Sequence, residues 1–225
     1  MAQKEEYTDT TVIIPVKDEP GVNDVIEDIQ TNMPGSKIII VYKGTDYVDK
    51  KYRSAVTLLE QKSDGKGAAC YEAIKLVNTE VTCFIDGDST YSVADLRNLV
   101  EEVRKGADIA IGNRLNKLSR KVMPSYIQFG NKMLTLMLNL FYGMNIKDSQ
   151  TGLRAVKTDA FKLLKMSEKY FGFEEEMLIR AKRKNYNIVE LPISYSVRKG
   201  VSKQVKHTGG FKLAAILIKH LFDKQ

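Results

Sequence analysis

The sequence predicts an α/β fold, a mostly parallel sheet with helices on both faces. Two observations predict it. Short apolar runs rich in β-branched residues alternate with segments of helical periodicity through the first half. One of those runs, residues 81–85, ends in a carboxylate pair, Asp86-Gly87-Asp88. Open α/β sheets bind ligands outside the carboxyl ends of their strands.

The elements follow in order. Residues 11–16 form a strand, and Val22, Val25, Ile26 and Ile29 mark one face of a helix. Residues 37–42 and 55–59 are the next strands. After the Gly-rich Ser63-Asp64-Gly65-Lys66-Gly67, Ala69, Ala73, Leu76 and Val77 return to helical spacing. The 81–85 strand follows. Ser92 is an expected N-cap with Asp95 three residues on, and Leu96, Leu99, Val100 and Val103 form the buried stripe of that helix. Residues 108–111 form a strand that ends in Gly112-Asn113-Arg114.

The second half reads differently. Residues 127–141 are helical and nearly all apolar, with Gln128, Asn131, Lys132, Thr135 and Asn139 on one stripe. Such a wide apolar arc belongs to a core, a partner or a membrane interface. Residues 153–156 read as a strand, 159–165 and 174–184 as helices, and 188–197 as a strand in which Pro192 implies an edge or a bulge. The last helix, 210–222, places Phe211, Ala214, Ala215, Ile218 and Phe222 on one side. Residues 1–205 read as one domain, and 206–225 as a basic amphipathic helix that meets a membrane or a second copy.

Bulk properties narrow the function. The start, residues 1–9, is polar and does not read as a signal peptide. No stretch approaches a membrane span. Cys70 and Cys83 are too few for a disulfide framework or a zinc site. A reducing cytoplasm fits. The net charge of +7 is uneven. No acid occurs between Ile109 and Lys147, where Arg114, Lys117, Arg120, Lys121 and Lys132 lie. From Lys182 onward ten Lys and Arg face only Glu190 and Asp223. The asymmetry implies an anionic partner: a phosphorylated substrate, an acidic membrane surface or nucleic acid.

Two hard oxygen ligands at Asp86 and Asp88 suit Mg²⁺ or Mn²⁺ shared with substrate phosphates. Lys66-Gly67 lacks the glycine spacing and the following Ser or Thr of a P-loop. Asp86-Gly87-Asp88-Ser89-Thr90 also fits the Asp-x-Asp-x-Thr signature of haloacid-dehalogenase phosphatases. That signature belongs on a first core strand, and here three strands precede it. A non-catalytic basic module would leave the acid pair unexplained.

A resemblance gathers these motifs. Pro15-Val16-Lys17-Asp18-Glu19, Gly65-Lys66-Gly67-Ala68-Ala69, Asp86-Gly87-Asp88, Gly112-Asn113-Arg114, Asp148-Ser149-Gln150-Thr151-Gly152-Leu153-Arg154, Phe173-Glu174-Glu175-Glu176-Met177 and Arg198-Lys199-Gly200-Val201-Ser202-Lys203 occur in this order. Together they resemble a family 2 glycosyltransferase of the GT-A fold, in the subgroup of dolichyl (polyprenyl) phosphate sugar synthases, over about residues 11–205. The resemblance implies transfer of a sugar, with inversion, from a nucleotide diphosphate to a polyprenyl phosphate. UDP-glucose or UDP-N-acetylglucosamine is the favoured donor, with GDP-mannose second.

The site residues follow from that resemblance. Asp86 and Asp88 would hold the metal. Pro15, Asp18, Glu19 and Lys66 would line the nucleotide site. Arg114 would contact the diphosphate or the donor sugar, and Gln150 the sugar or its loop. Arg198 and Lys203 would close over phosphates, and Arg120 and Lys121 would bind the acceptor phosphate. Asp88, Arg114 and Arg198 are the implied catalytic residues. A polyprenyl phosphate is already anionic, so a general base is dispensable, with Asp148 or Glu175 as the candidates if one acts. His207 and His220 read as structural or surface. The implied protein sits peripherally on the cytoplasmic face of a membrane and binds no nucleic acid, and a homo-oligomer is left open. At the end of the second strand the family carries an acid pair that helps hold the nucleoside. This chain has Tyr42-Lys43-Gly44-Thr45 there, which leaves the base identity open.

Overall fold

The computed structural model describes residues 6–116, 122–170, 172–197 and 208–222. The chain runs β1 (Thr10–Lys17), α1 (Val22–Asn32), β2 (Lys37–Lys43), β3 (Thr57–Glu60), α2 (Lys66–Ile74), β4 (Val81–Phe84), α3 (Val93–Arg104) and β5 (Ile109–Asn113). It continues with α4 (Ser125–Tyr142), β6 (Arg154–Lys157), α5 (Thr158–Leu163), α6 (Phe173–Arg183), β7 (Ile188–Pro192) and α7 (Thr208–Phe222). The strands form one seven-stranded sheet in the order β3-β2-β1-β4-β6-β5-β7. β3, β2, β1 and β4 pair in parallel, β6 runs antiparallel to both β4 and β5, and β7 pairs in parallel with β5. Pro192 lies at the end of β7, on an edge strand, where a missing ladder donor is tolerated.

The central strands are apolar on both sides, as strands covered by helices on both faces must be. Val12, Ile14, Ile38 and Ile40 point to a layer filled by α1 and α3 through Val25, Ile26, Ile29, Leu96 and Leu99. Ile13, Ile39 and Val41 point to the opposite layer, filled by α2 and α6 through Ala69, Ala73, Met177 and Leu178. Ser92 caps α3, its hydroxyl accepting from the Ala94 N–H. Asp95 does not reach back to complete a capping box. Its carboxylate accepts from the N–H and hydroxyl of Ser194 at 2.9 and 2.6 Å, which ties the segment after β7 to α3.

Candidate active site

β1 lies between β2 and β4, so the chain leaves it in opposite directions and opens a crevice at the carboxyl edge. The Ile85 N–H donates to the Ile13 carbonyl at 3.3 Å, the last ladder bond on that side. Pro15 faces the same way two residues on and has no N–H to offer. β1 and β4 therefore part at Pro15, and Asp86 and Asp88 follow β4 into the gap. Gly87 permits the approach, because a Cβ there would lie 2.5 Å from the Val16 side chain. Two non-glycine residues at this rim hold left-handed backbone, Asp18 at φ 47° and Ser89 at φ 59°. Such strain persists where the surroundings enforce it. Here the Ser89 hydroxyl donates to the Gly21 carbonyl at 3.1 Å, and the Asp18 carboxylate accepts from the Thr45 N–H at 3.0 Å. Glu19 is buried, its carbonyl accepting from the Val22 N–H at the start of α1.

Lys66, the first residue of α2, joins two acids. Its ammonium lies 2.6 Å from Asp86 Oδ1 and 2.9 Å from Glu174 Oε1. Burial alone would pull its pKa down, but the Asp86 and Glu174 carboxylates outweigh burial and hold it well above the usual lysine value. Gly152 makes room for this cluster, since a Cβ there would meet Asp86 Oδ2 at 2.5 Å and Lys66 Nζ at 3.0 Å. Asp88 is buried, and its Oδ1 accepts from the Thr90 hydroxyl at 2.7 Å and the Thr90 N–H at 3.2 Å. Among the described residues no group of three or more His, Cys, Asp or Glu is arranged to hold a metal ion. Two carboxylates at one strand end nevertheless fit Mg²⁺ or Mn²⁺, which keep waters and substrate phosphates in their shell.

The structure commits Arg114 differently from the expected phosphate contact. Its backbone N–H and Nε donate to Asp148 Oδ2 at 3.0 and 2.8 Å, and Nη2 donates to Oδ1 at 2.9 Å. Both side chains are buried, and the guanidinium lies over the Tyr195 ring. Burial opposes the charge, yet Asp148 keeps the Arg114 pKa well above its usual value. The fork anchors the turn from Asp148 to Gly152 under the crevice. Gln150 sits on that turn, its amide donating to the Ser149 hydroxyl at 3.2 Å.

Arg154 organises the same turn from inside the sheet. This fully buried guanidinium donates to the carbonyls of Ser149, Thr151 and Glu174 at 2.6, 3.0 and 2.9 Å. Sequence reasoning placed Arg154 in a motif without a role, and the available signal was one arginine within the apolar run Leu153-Arg154-Ala155-Val156. Tyr91 was also missed; its hydroxyl accepts from the Gly152 N–H at 2.8 Å. Neither candidate base is accessible. Asp148 is consumed by Arg114, and Glu175 is 0% exposed, its carboxyl pushed well above the usual range by burial and then by Glu174. Glu176 is likewise structural, accepting from Ser167 and Glu168 N–H groups and from Arg180.

α4 divides its wide apolar arc between the core and the surface. Its polar stripe faces inward. Thr135 meets Ser149 at 3.0 Å, Asn139 exchanges bonds with the Ile146 backbone, and Gln128 donates to the Met123 carbonyl. Only Lys132 of that stripe is exposed. Leu134 and Leu138 join the core, and the rest of the apolar arc is turned outward: Phe129 is 68% and Leu140 71% exposed, with Tyr126, Met133 and Leu136 on the same side. α7 packs on α4, the Tyr142 hydroxyl donating to the Leu217 carbonyl at 2.6 Å. It buries Leu213, Leu217 and His220 and leaves out Ala215 and Ile218, two residues of the side read as its apolar face. Arg120, Lys121, Arg198, Lys203 and His207 lie outside the described residues.

The family model described as "Glycosyl transferase family 2" matches residues 11–165, which carry β1 through α5 with Asp86, Asp88 and the turn from Asp148 to Gly152. The chain belongs to glycosyl transferase family 2. This transferase is 26% identical over 225 residues to a dolichyl-phosphate hexose transferase of Haloferax volcanii, covering 98% of each chain. It is 28% identical over 214 residues to the low-salt glycan biosynthesis hexosyltransferase Agl6 of the same organism, covering 90% of this chain but only 51% of that protein. Among solved structures it superposes on glucosyl-3-phosphoglycerate synthase from Mycobacterium tuberculosis, crystallised with Mn²⁺, UDP-glucose and phosphoglyceric acid. The TM-score is 0.71 at 17% identity, covering 96% of this chain and 80% of that one. The fold of this family 2 transferase is thus GT-A, and the phosphatase and basic-module readings fall away.

Proposed function

We propose that the protein transfers a sugar, with inversion, from a nucleoside diphosphate to a dolichyl or other polyprenyl phosphate at a membrane surface. UDP-glucose or UDP-N-acetylglucosamine is the favoured donor. The observation that carries the reading is the juxtaposition of the Asp86-Asp88 crevice with α4, whose outward face is apolar and whose inward Thr135 bonds the turn at the crevice. A soluble acceptor would not need such a face beside the site. The relative that is a dolichyl-phosphate hexose transferase, of nearly the same length, supports the acceptor class. The neighbour holding Mn²⁺ and UDP-glucose supports a metal and a uridine donor.

Asp88, with Asp86 beside it, would hold the divalent ion, which when bound neutralises charge growing on the leaving diphosphate. Lys66 keeps Asp86 in place and offsets the charge of Glu174. Arg114 acts as a positioning residue: through Asp148 it fixes the turn that carries Gln150 toward the donor sugar. The acceptor phosphate is already an oxyanion, and a reaction without a dedicated base agrees with the burial of Asp148 and Glu175. Arg120, Lys121, Arg198 and Lys203 remain assigned to acceptor and diphosphate phosphates. No helix among the described residues is long and apolar enough to cross a membrane, and contact through α4 and α7 at the cytoplasmic face is part of the proposal.

The test incubates the protein with dolichyl phosphate, Mg²⁺ or Mn²⁺, and UDP-glucose, UDP-N-acetylglucosamine or GDP-mannose, and reads the glycolipid by mass spectrometry. Product with one donor, lost on chelation, is expected. No product with any donor from folded protein would overturn the acceptor assignment.

A further inference from the structure

We propose that Glu176 is a positioning residue of the active site: through residues 167–170 it sets the place of Lys66 against Asp86. The inference rests on the reading above, in which Lys66 keeps Asp86 in place for the metal and the diphosphate.

Glu176 is 0% exposed, so it acts only through what it holds. What it holds is main chain. Its carboxylate accepts from the Ser167 N–H at 2.8 and 3.0 Å, the Ser167 hydroxyl at 2.8 Å and the Glu168 N–H at 2.7 Å. Arg180 Nε also donates to it, at 2.7 Å. Burial would raise its pKa, but the Glu168 and Ser167 N–H groups, with the Ser167 hydroxyl and Arg180, outweigh burial and hold it below the usual value. Bonds to a charged acceptor are roughly twice as strong as neutral ones. Two successive N–H groups bound to one buried charge therefore give residues 167 and 168 a fixed orientation. A residue that served α6 alone would need only Arg180, one turn along the same helix.

That orientation aims the next carbonyls at α2. The Glu168 carbonyl accepts from the Tyr71 hydroxyl at 2.7 Å, and the Lys169 carbonyl accepts from the Ala68 N–H at 3.1 Å. Ala68 lies in the first turn of α2, where N–H groups have no partner within the helix, and no side chain caps this end. The Lys169 carbonyl is the cap.

The contact has no slack. A Cβ on Gly67 would lie 2.2 Å from the Glu168 carbonyl oxygen, and one on Gly65 would lie 2.0 Å from that of Lys169. Main chain bears on main chain on both sides of Lys66, and such close packing transmits displacement. Lys66 passes it on, with its ammonium 2.6 Å from Asp86 and 2.9 Å from Glu174. α7 braces the same segment. Lys219 Nζ donates to the Glu168 carboxylate at 2.8 Å, and Ile216 closes on Gly172, where a Cβ would meet its side chain at 2.8 Å.

The test compares Glu176→Gln with the parent, both as the full chain. Glutamine keeps the shape but turns an amide N–H₂ toward a backbone N–H. The readouts are thermal melt, hydrogen exchange at Ala68, and calorimetric binding of UDP and GDP with Mn²⁺. Exchange at Ala68 is expected to accelerate about tenfold, because the cap is loosened. Nucleotide binding with Mn²⁺ is expected to weaken by about fivefold or more, at the low end for groups that support a metal ligand. Tyr71→Phe removes only the hydroxyl on the Glu168 carbonyl and should shift both readouts the same way by about threefold. It decides the question if Glu176→Gln does not fold. A lowered melt with parental exchange and parental nucleotide affinity shows a purely stabilising residue and overturns the proposal. Failure of the parent to bind either nucleotide overturns the nucleotide-sugar reading instead, and exchange at Ala68 still decides whether Glu176 places the first turn of α2.

Discussion

Glu175→Gln is expected to stabilise this protein at neutral pH and to leave it almost unchanged near pH 4.5. Glu175 is 0% exposed, and neither carboxyl oxygen has a hydrogen-bond partner. Burial, and then the Glu174 carboxylate, raise its pKa well above the ordinary 4.5. Above that pH the unfolded chain releases the proton while the folded chain keeps it. The folded state then binds more protons, so stability falls as pH rises. The loss is about 1.4 kcal/mol per pH unit until the folded pKa is reached. At pH 7 the ceiling is therefore about 3 kcal/mol. Arg154 pulls the other way and trims it, although its guanidinium is already satisfied by three carbonyls. Glutamine has the same shape and cannot ionise, and the protonated carboxyl already lacks partners, so the amide adds little desolvation. A gain of about 1–3 kcal/mol at pH 7 is expected, with about 2–4 °C in Tm for each kcal/mol in a chain of this size. Urea and thermal melts from pH 4.5 to 8 would measure it. A variant less stable than its parent at pH 7, with a difference independent of pH, would show an ionised and paired carboxylate and refute the reasoning.

Other outcomes are expected. Asp148→Asn leaves the Arg114 guanidinium buried without its counter-charge and should destabilise by about 3–5 kcal/mol in urea melts; adding Arg114→Gln should recover part of that loss. Asp88→Ala should lower sugar transfer by about a hundredfold or more in protein that still folds, as the loss of a few kcal/mol of charge stabilisation requires, with a melt lowered by about 1–3 kcal/mol because the buried Thr90 donors lose their acceptor; near-normal turnover would remove the metal role. Phe129→Glu with Leu140→Glu should weaken sedimentation with anionic vesicles and leave stability intact, because both side chains are already exposed. Unchanged binding would end the membrane reading of α4.

Much of the fold was legible because its signals are local. β1, β2, β4 and β5 are runs whose length and β-branching leave few alternatives, and the amphipathic helices α1 and α3 carry their buried stripes openly. The acid pair at Asp86 and Asp88 was legible as a ligand site because it follows a buried strand, and strand ends are where such folds bind. The roles of the acids in α6 were not legible. Glu174, Glu175 and Glu176 look alike in a row, yet one meets Lys66, one is buried without a partner and one holds the Ser167 and Glu168 backbone. Helix rotation of about 100° per residue sends each to different surroundings, and no local pattern encodes those.

The sequence by itself determined the layered α/β architecture, the strand whose end carries the acids and the family to which the chain belongs, since periodicity and motif order are properties of the chain alone. Tertiary structure decided what the charged groups do. It turned Arg114 from an open cation into the buried partner of Asp148, gave Lys66 to Asp86 and Glu174, and paired Lys43 with Asp64 across two strand ends. It also turned the polar stripe of α4 inward, because Thr135 and Asn139 find backbone and hydroxyl partners there, and left the apolar arc outside apart from Leu134 and Leu138. A charge or an apolar side chain takes its role from what packs beside it, and those neighbours are distant in sequence.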